Sequence, residues 1–217
     1  MERILATSML SADFGFLDRE VKMLNASRAQ WIHIDVMDGV FVPNISFGFP
    51  VLKAVAAAAC KTIDTHLMII RPEHYVAQFA EAGSDYVTFH VEATDRAQEC
   101  IDLIHSAGSK AGISLKPATG VWAVEPFLDK IEMVLVMSVE PGFGGQEFMP
   151  AMLDKVRELK WLREQRGLDF IIELDGGVSA QNAGTIYAAG CDALVAGSAV
   201  FGAEDPAAEI VKILEAE

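Results

Sequence analysis

Positive charge is scarce in this 217-residue sequence, because 17 Lys and Arg stand against 31 Asp and Glu and give a formal net charge of -14. Nucleic acids and anionic membrane surfaces both favour clustered positive charge, so we expect neither as a partner. No stretch approaches the roughly 20 apolar residues needed to cross a bilayer. The first residues carry no long apolar signal segment either, and we therefore expect a cytoplasmic protein.

Cysteine is also rare. Cys60, Cys100 and Cys191 are far apart and show no Cys-x-x-Cys spacing, which argues against a disulfide framework and against a thiolate zinc site. We expect all three to be small, buried or half-buried residues. Low-complexity segments and linkers are missing as well, so we expect one domain that spans residues 1–217.

Apolar runs alternate with amphipathic segments along the whole chain. Strands are predicted near 4–8, 30–36, 62–67, 85–90, 110–115, 132–138, 170–175 and 192–196. Helices are predicted near 16–28, 49–59, 73–82, 96–107, 121–129, 151–166, 181–189 and 205–215. Strands joined by crossover helices run parallel, and eight such units favour an α/β fold of the single (β/α)8 TIM-barrel type. An open doubly wound sheet is the weaker alternative, because no Gly-x-Gly-x-x-Gly follows the first strand.

The predicted strand near 30–36 carries unusual polar residues. Alternate side chains of a strand share a face, so His33, Asp35 and Met37 line the same side of this otherwise apolar run. A buried carboxylate and imidazole are costly unless they are paired or bind a metal. This strand is therefore expected to end in a functional site.

Other strands end in similar residues. His66 closes the third strand, Asp175 closes the seventh and Ser8 closes the first, and active sites of such barrels lie at this end. A lone Asp there could cap a loop, and a lone His could be an ordinary core residue. Together, two His and two Asp predict a divalent-metal site that suits Zn, Fe(II), Mn or Co better than Ca or Mg; its ligands are His33, Asp35, His66 and Asp175. His90, beside Glu92, is expected to line the mouth.

Glycine-rich stretches follow the last three strands, at 141–145, 175–177 and 196–201. Glycine lets backbone N–H groups approach an anion closely, and the loops after strands seven and eight of such barrels often bind phosphate. The alternative is that these glycines only serve tight turns. Three such loops on consecutive strands favour phosphate binding, which would let an acidic protein hold an anion.

The joint pattern resembles the ribulose-phosphate 3-epimerase family. The resemblance rests on Ser8–Phe14, His33–Gly39, Phe41–Asn44, Asp64–Met68, Met137–Gln146, Asp175–Gly177 and Gly197–Phe201. It implies a (β/α)8 isomerase that interconverts D-ribulose 5-phosphate and D-xylulose 5-phosphate in the pentose phosphate pathway with one divalent metal ion per chain. A homo-oligomer is also expected.

The resemblance further implies individual roles. The metal ligands would be His33, Asp35, His66 and Asp175, and Asp35 and Asp175 would exchange the C3 proton through an enediolate. The phosphorylated ketose would be bound by Ser8, Met37, His66, Met68, Met137, Gly142, Gly144, Gly145, Asp175, Gly176, Gly177, Gly197 and Ser198.

Three positions depart from the family pattern. Thr7 stands in place of a usual proline, and Lys116 and Glu140 stand in place of usual asparagines. An allulose-6-phosphate 3-epimerase, with the same barrel and metal set, and a metal-free phosphate-binding barrel enzyme therefore stay as alternatives. Lys116 and Glu140 follow neighbouring strands, and we expect either an ion pair or water-bridged contact between them or two solvated side chains that point apart.

Overall fold

Eight parallel strands form a closed barrel in the computed structural model, which describes residues 3–217. Each strand pairs with its neighbours in sequence, and the first strand also pairs with the last. The strands are Ile4–Ser8 (β1), Trp31–Met37 (β2), Thr62–Met68 (β3), Tyr86–His90 (β4), Lys110–Leu115 (β5), Met133–Met137 (β6), Ile171–Asp175 (β7) and Ala193–Ala196 (β8). The predicted (β/α)8 barrel is confirmed.

Helices occupy most of the crossovers. They are Leu17–Ala26 (α1), Phe49–Ala58 (α2), Val76–Glu81 (α3), Ala97–Ser106 (α4), Leu153–Arg166 (α5), Ala183–Ala189 (α6), Ser198–Phe201 (α7) and Pro206–Leu214 (α8). The helix predicted near 121–129 is wrong, because two 3₁₀ turns, Val121–Ala123 and Glu125–Phe127, occupy that crossover. Pro126 lacks the N–H that an α-helix would need there. Within residues 3–217 no helix is both long enough and apolar enough to cross a membrane.

The two faces of the strands serve different cores. Outward-facing residues such as Ile32 and Ile34 pack with the helices in a large apolar cluster. Inward-facing Trp31, Tyr86 and Leu135 belong to a separate apolar cluster inside the barrel. The other buried residues of the interior are mostly polar or charged, and they collect toward the carboxyl ends of the strands: Ser8, His33, Asp35, Asp64, His66, Thr88, His90, Ser114 and Glu173. The polar groups of the barrel interior therefore collect toward the carboxyl ends of the strands.

The cysteines only partly follow the prediction. Cys100 and Cys191 are buried, but Cys60 is exposed in the connection between α2 and β3. The prediction was wrong for Cys60, because this short connection runs over the surface, where a small side chain need not pack.

Side chains close the hydrogen bonding at the amino-terminal end of the barrel. The residue just before each of β2, β4, β6 and β8 accepts a hydrogen bond from a backbone N–H of the preceding strand. The pairs are Gln30 with Leu5 N, Asp85 with Ile63 N, Glu132 with Ala111 N and Asp192 with Ile172 N, at 2.7–2.8 Å. Asp192 also forms an ion pair with Arg163, and both side chains are nearly buried, 10% and 13% exposed.

We predict that Asp192→Ala lowers the free energy of unfolding by about 1–3 kcal/mol, because Ile172 N–H and Arg163 would lose their acceptor away from water. The matched control is Asp154→Ala, since the ion pair of Asp154 with Arg157 is 82% and 58% exposed. That change should cost about 0–1 kcal/mol. Urea unfolding of both variants measures the difference, and equal stabilities would contradict the role of Asp192.

Candidate metal centre and active site

The four predicted metal ligands lie together at the carboxyl end of the barrel. Strand pairing places Asp35 opposite His66, and the polar inner faces of β2, β3 and β7 converge. Asp35 Oδ1 lies 3.2 Å from His33 Nε2 and 3.2 Å from His66 Nδ1, while Asp175 Oδ2 lies 3.9 Å from His66 Nδ1. One ligand atom from each residue can be chosen so that all four lie within 4.8 Å of one another. Two imidazole nitrogens and two carboxylates at such spacing fit a transition-metal ion.

His33 is held by a carboxylate that the sequence reasoning did not single out. Asp64 Oδ2 lies 2.5 Å from His33 Nδ1, and both side chains are fully buried. A carboxylate on one ring nitrogen keeps the proton there and leaves the other nitrogen free to bind a metal. His33 Nε2 is therefore the nitrogen that faces the site. Asp64 stands two residues before His66 on the same strand face, and that spacing was the signal available in the sequence.

The two carboxylates of the site have opposite electrostatic environments. Burial would raise the pKa of Asp35, but its close contacts with the imidazoles of His33 and His66 outweigh burial and hold the pKa well below its usual range. Ser8 Oγ also donates to Asp35 Oδ2 at 2.6 Å. Burial and the nearby charge of Asp35 instead raise the pKa of Asp175 to about 6. One carboxyl group thus favours ionisation and the other favours holding a proton.

Glu173 lies below Asp175 on the inner face of β7 and was also missed. It is fully buried, and burial together with the charge of Asp64 raises its pKa well above the usual value. The surroundings of Glu173 therefore favour the protonated form of this carboxyl group in the layer beneath the site. With His33 and Asp64 it forms a second group of ligand-type side chains, which shares His33 with the first.

A cleft opens above these carboxylates. Apolar walls come from Met37, Met68 and Met137, which are nearly fully buried, and Asp35, Asp175 and Ser8 lie at its base. The predicted glycines and Ser198 line it as well: Gly142, Gly144, Gly145, Gly176, Gly177 and Gly197. Every predicted substrate-binding residue except the fully buried His66 therefore lines one cleft.

The glycines in this cleft have different structural causes. Gly177 has a φ of +66°, and a Cβ there would lie 2.4 Å from Phe148 N, so the turn itself requires glycine. At Gly144 the nearest atom to such a Cβ would be Ser11 Oγ at 3.6 Å, so packing does not demand glycine there. The tight-turn interpretation accounts for Gly177, whereas at Gly144 a close approach of ligand to backbone stays the better explanation. The hydroxyl of Ser138, another residue that was missed, donates to Asp175 O and Gly176 O and holds this turn.

His90 does not line the cleft, contrary to the prediction. It is fully buried. Its ring centroid lies 4.7 Å from that of Phe41, and its Nε2 lies 2.9 Å from His66 Nε2. Burial lowers the pKa of His90 to about 4. His90 and Glu92 therefore stand behind a predicted metal ligand rather than at the mouth.

Of the alternatives for Lys116 and Glu140 the direct ion pair is wrong, because no salt bridge among residues 3–217 joins them, whereas a water-bridged contact stays a prediction. The Lys116 ammonium instead lies 3.8 Å from the ring centroid of Phe41. The face of an aromatic ring attracts a cation, and this competing partner was not visible from strand order. Glu140 is exposed, and Gln146 donates a hydrogen bond to its backbone carbonyl, which ties together the ends of the 141–145 loop.

Comparisons with known proteins agree with this geometry. The model of the ribulose-phosphate 3 epimerase family matches residues 4–201. Ribulose-phosphate 3-epimerases of Synechocystis sp. and Bacillus subtilis are each 45% identical to this chain; the alignments cover 97% and 93% of it, and 92% and 93% of the relatives.

Solved structures with lower identity share the fold alone. A 3-hexulose-6-phosphate synthase from Salmonella typhimurium aligns with a TM-score of 0.69 at 20% identity, over 98% of this chain and 97% of that one. A tryptophan synthase α-subunit from Pyrococcus furiosus aligns with a TM-score of 0.72 at 17% identity, over 100% and 98% of the two chains. The match over nearly the whole sequence and the close relatives show that the chain belongs to the ribulose-phosphate 3-epimerase family.

Proposed function

We propose that this chain, acting as one catalytic domain over residues 1–217, interconverts D-ribulose 5-phosphate and D-xylulose 5-phosphate by inverting C3. The observation that carries the proposal is that Asp35 and Asp175 lie in one cluster with two imidazoles at the mouth of the barrel. The chain that carries this cluster belongs to the ribulose-phosphate 3-epimerase family. Inversion at C3 requires one group to remove a proton and another to return one to the opposite face. Two carboxyl groups with pKa values driven apart suit that task.

The metal in this proposal is one divalent ion per chain, Zn, Fe(II), Mn or Co, held by His33, Asp35, His66 and Asp175. The chemistry of these donors and their mutual distances support it. When bound, such an ion supplies a Lewis acid that stabilises the negative charge that develops on the sugar when C3 loses its proton.

Asp35 and Asp175 carry the protons. We assign Asp35, whose surroundings favour its ionised form, as the base in one direction and Asp175 as the acid; the roles exchange in the reverse direction. Ser8 donates to Asp35 and fixes the orientation of its carboxylate. The proton taken from C3 need not be the one returned, because the two carboxyl groups are different.

Methionines and glycines position the substrate. The side chains of Met37, Met68 and Met137 form an apolar, polarizable wall that keeps water from the reacting carbon. We assign the phosphate to the loops that contain Gly144–Gly145, Gly176–Gly177 and Gly197–Ser198, where backbone N–H groups replace the basic patch that this acidic chain does not have.

A homo-oligomer is also part of the proposal. Large apolar side chains are exposed on the loops after β1 and β2, where Phe16, Val40 and Ile45 are 57%, 68% and 74% exposed. A second copy of the chain would cover such residues at little cost. Light scattering should give a mass of at least two chains, and the mass of a single chain would contradict the proposal.

We predict that chelation removes activity and that adding Zn, Mn, Co or Fe(II) restores it, at about one ion per chain. The assay uses ribulose 5-phosphate and allulose 6-phosphate on metal-defined protein, and ribulose 5-phosphate should be the better substrate. Full turnover by a verified metal-free sample would contradict the metal, and preference for allulose 6-phosphate would contradict the assigned substrate.

We predict that Asp175→Asn lowers kcat by at least about 10²-fold, because an amide cannot carry the proton. Asp169→Asn is the control, since this exposed residue stands just before the other end of β7. In deuterium oxide the wild-type protein should place solvent deuterium at C3. Epimerisation with complete retention of the original C3 hydrogen would exclude two proton carriers that exchange with solvent.

A further inference from the structure

A line of hydrogen bonds runs from His66 to the rim of the barrel. His66 Nε2 lies 2.9 Å from His90 Nε2, and His90 Nδ1 lies 3.1 Å from Glu92 Oε2. Glu92 Oε1 accepts from the backbone N–H of Lys116 at 2.7 Å. Both histidines are fully buried, and the Glu92 side chain is 22% exposed. None of these contacts uses His66 Nδ1, the nitrogen that faces Asp35 and Asp175.

The direction of each hydrogen bond follows from the groups at the outer end. A backbone N–H can only donate, so Glu92 accepts from Lys116. An ionised carboxylate has no proton to give, and it therefore accepts from His90 Nδ1 as well. Burial would raise the pKa of Glu92, but the hydrogen bonds that His90 and the backbone N–H of Lys116 donate to it outweigh burial and lower the pKa to about 2.

The inner half of the line then has one arrangement. With its proton on Nδ1, neutral His90 has a lone pair on Nε2, and it accepts from His66 Nε2–H. His66 is left with a lone pair on Nδ1 that faces the carboxylates. The ring centroid of Phe41 lies 4.7 Å from that of His90, and this ring shields His90 from water. The Lys116 ammonium lies 3.8 Å from the centroid of the same Phe41 ring.

We propose that His90 and Glu92 are positioning residues that fix the tautomer of His66, so that Nδ1 is free to bind the metal. The inference rests on the metal centre of the proposed function. It also explains why the two imidazoles present different nitrogens, since Asp64 holds the Nδ1 proton of His33 whereas the His90–Glu92 pair holds the Nε2 proton of His66.

Glu92→Gln tests the direction of the line. An amide can accept at one end only, and because the Lys116 N–H must donate, the NH₂ group of Gln would face His90. His90 would then carry its proton on Nε2 and donate to His66, whose own proton would move to Nδ1 and block the metal. The Kd for zinc should rise about 10–100-fold, the usual effect of losing an outer hydrogen-bond partner of a metal ligand.

Two variants at His90 separate this effect from a simple loss of charge. His90→Leu removes the acceptor without changing the formal charge, and it should raise the Kd for zinc as Glu92→Gln does. His90→Gln can accept from His66 and donate to Glu92, so it should keep a Kd close to the wild-type value. Glu81→Gln, at an exposed residue of α3, is the control for the loss of one negative charge.

The experiment is zinc competition against a chromophoric chelator for all five proteins, with ¹⁵N spectra of the histidine rings in the zinc-loaded wild type. We expect His90 to carry its proton on Nδ1. An Nε2 proton on His90, or equal Kd values for Glu92→Gln and Glu81→Gln, would overturn the inference and leave the metal centre standing. A wild-type protein that binds no zinc would instead overturn the metal centre itself. The spectra keep the test decisive if a variant does not fold.

Discussion

Carboxyl groups crowd the interior of this barrel, and the arrangement of the site follows from how their charges are balanced. Four of them lie at or below the mouth, on Asp35, Asp64, Glu173 and Asp175. Like charges at such spacing cannot all stay ionised away from water. Asp35 and Asp64 are each paired with His33, whereas the pKa values of Glu173 and Asp175 are raised. A divalent cation among these groups would relieve the remaining repulsion, which is the physical argument for the proposed metal ion.

The two ends of the barrel divide stability from chemistry. At the amino-terminal end, side chains such as Asp85 and Asp192 complete the backbone hydrogen bonds of neighbouring strands. At the carboxyl end, the polar side chains face the cleft and one another. The Salmonella typhimurium synthase shares the frame at 20% identity. The barrel fold is thus compatible with very different sequences. The side chains inside its carboxyl end determine what this chain can bind.

Much of this could be predicted from the sequence, because strand periodicity is two and the polar residues fall at strand ends. His33 and Asp35 share a face by spacing alone, and the barrel then brings His66 and Asp175 to them. The roles of Asp64 and His90 depend on which rings and carboxylates meet across neighbouring strands, and spacing within one strand does not give that. Lys116 shows the same limit, since its partner Phe41 lies on a loop far away in sequence.

The central claim is that four side chains at the carboxyl end of the barrel bind one metal ion. A crystal structure of the zinc-loaded protein, with anomalous diffraction measured at the zinc edge, tests it most directly. We predict one strong peak per chain about 2.0–2.2 Å from His33 Nε2, His66 Nδ1 and oxygens of Asp35 and Asp175. A zinc-loaded crystal with no peak there, or with zinc bound only at surface carboxylates, would contradict the claim.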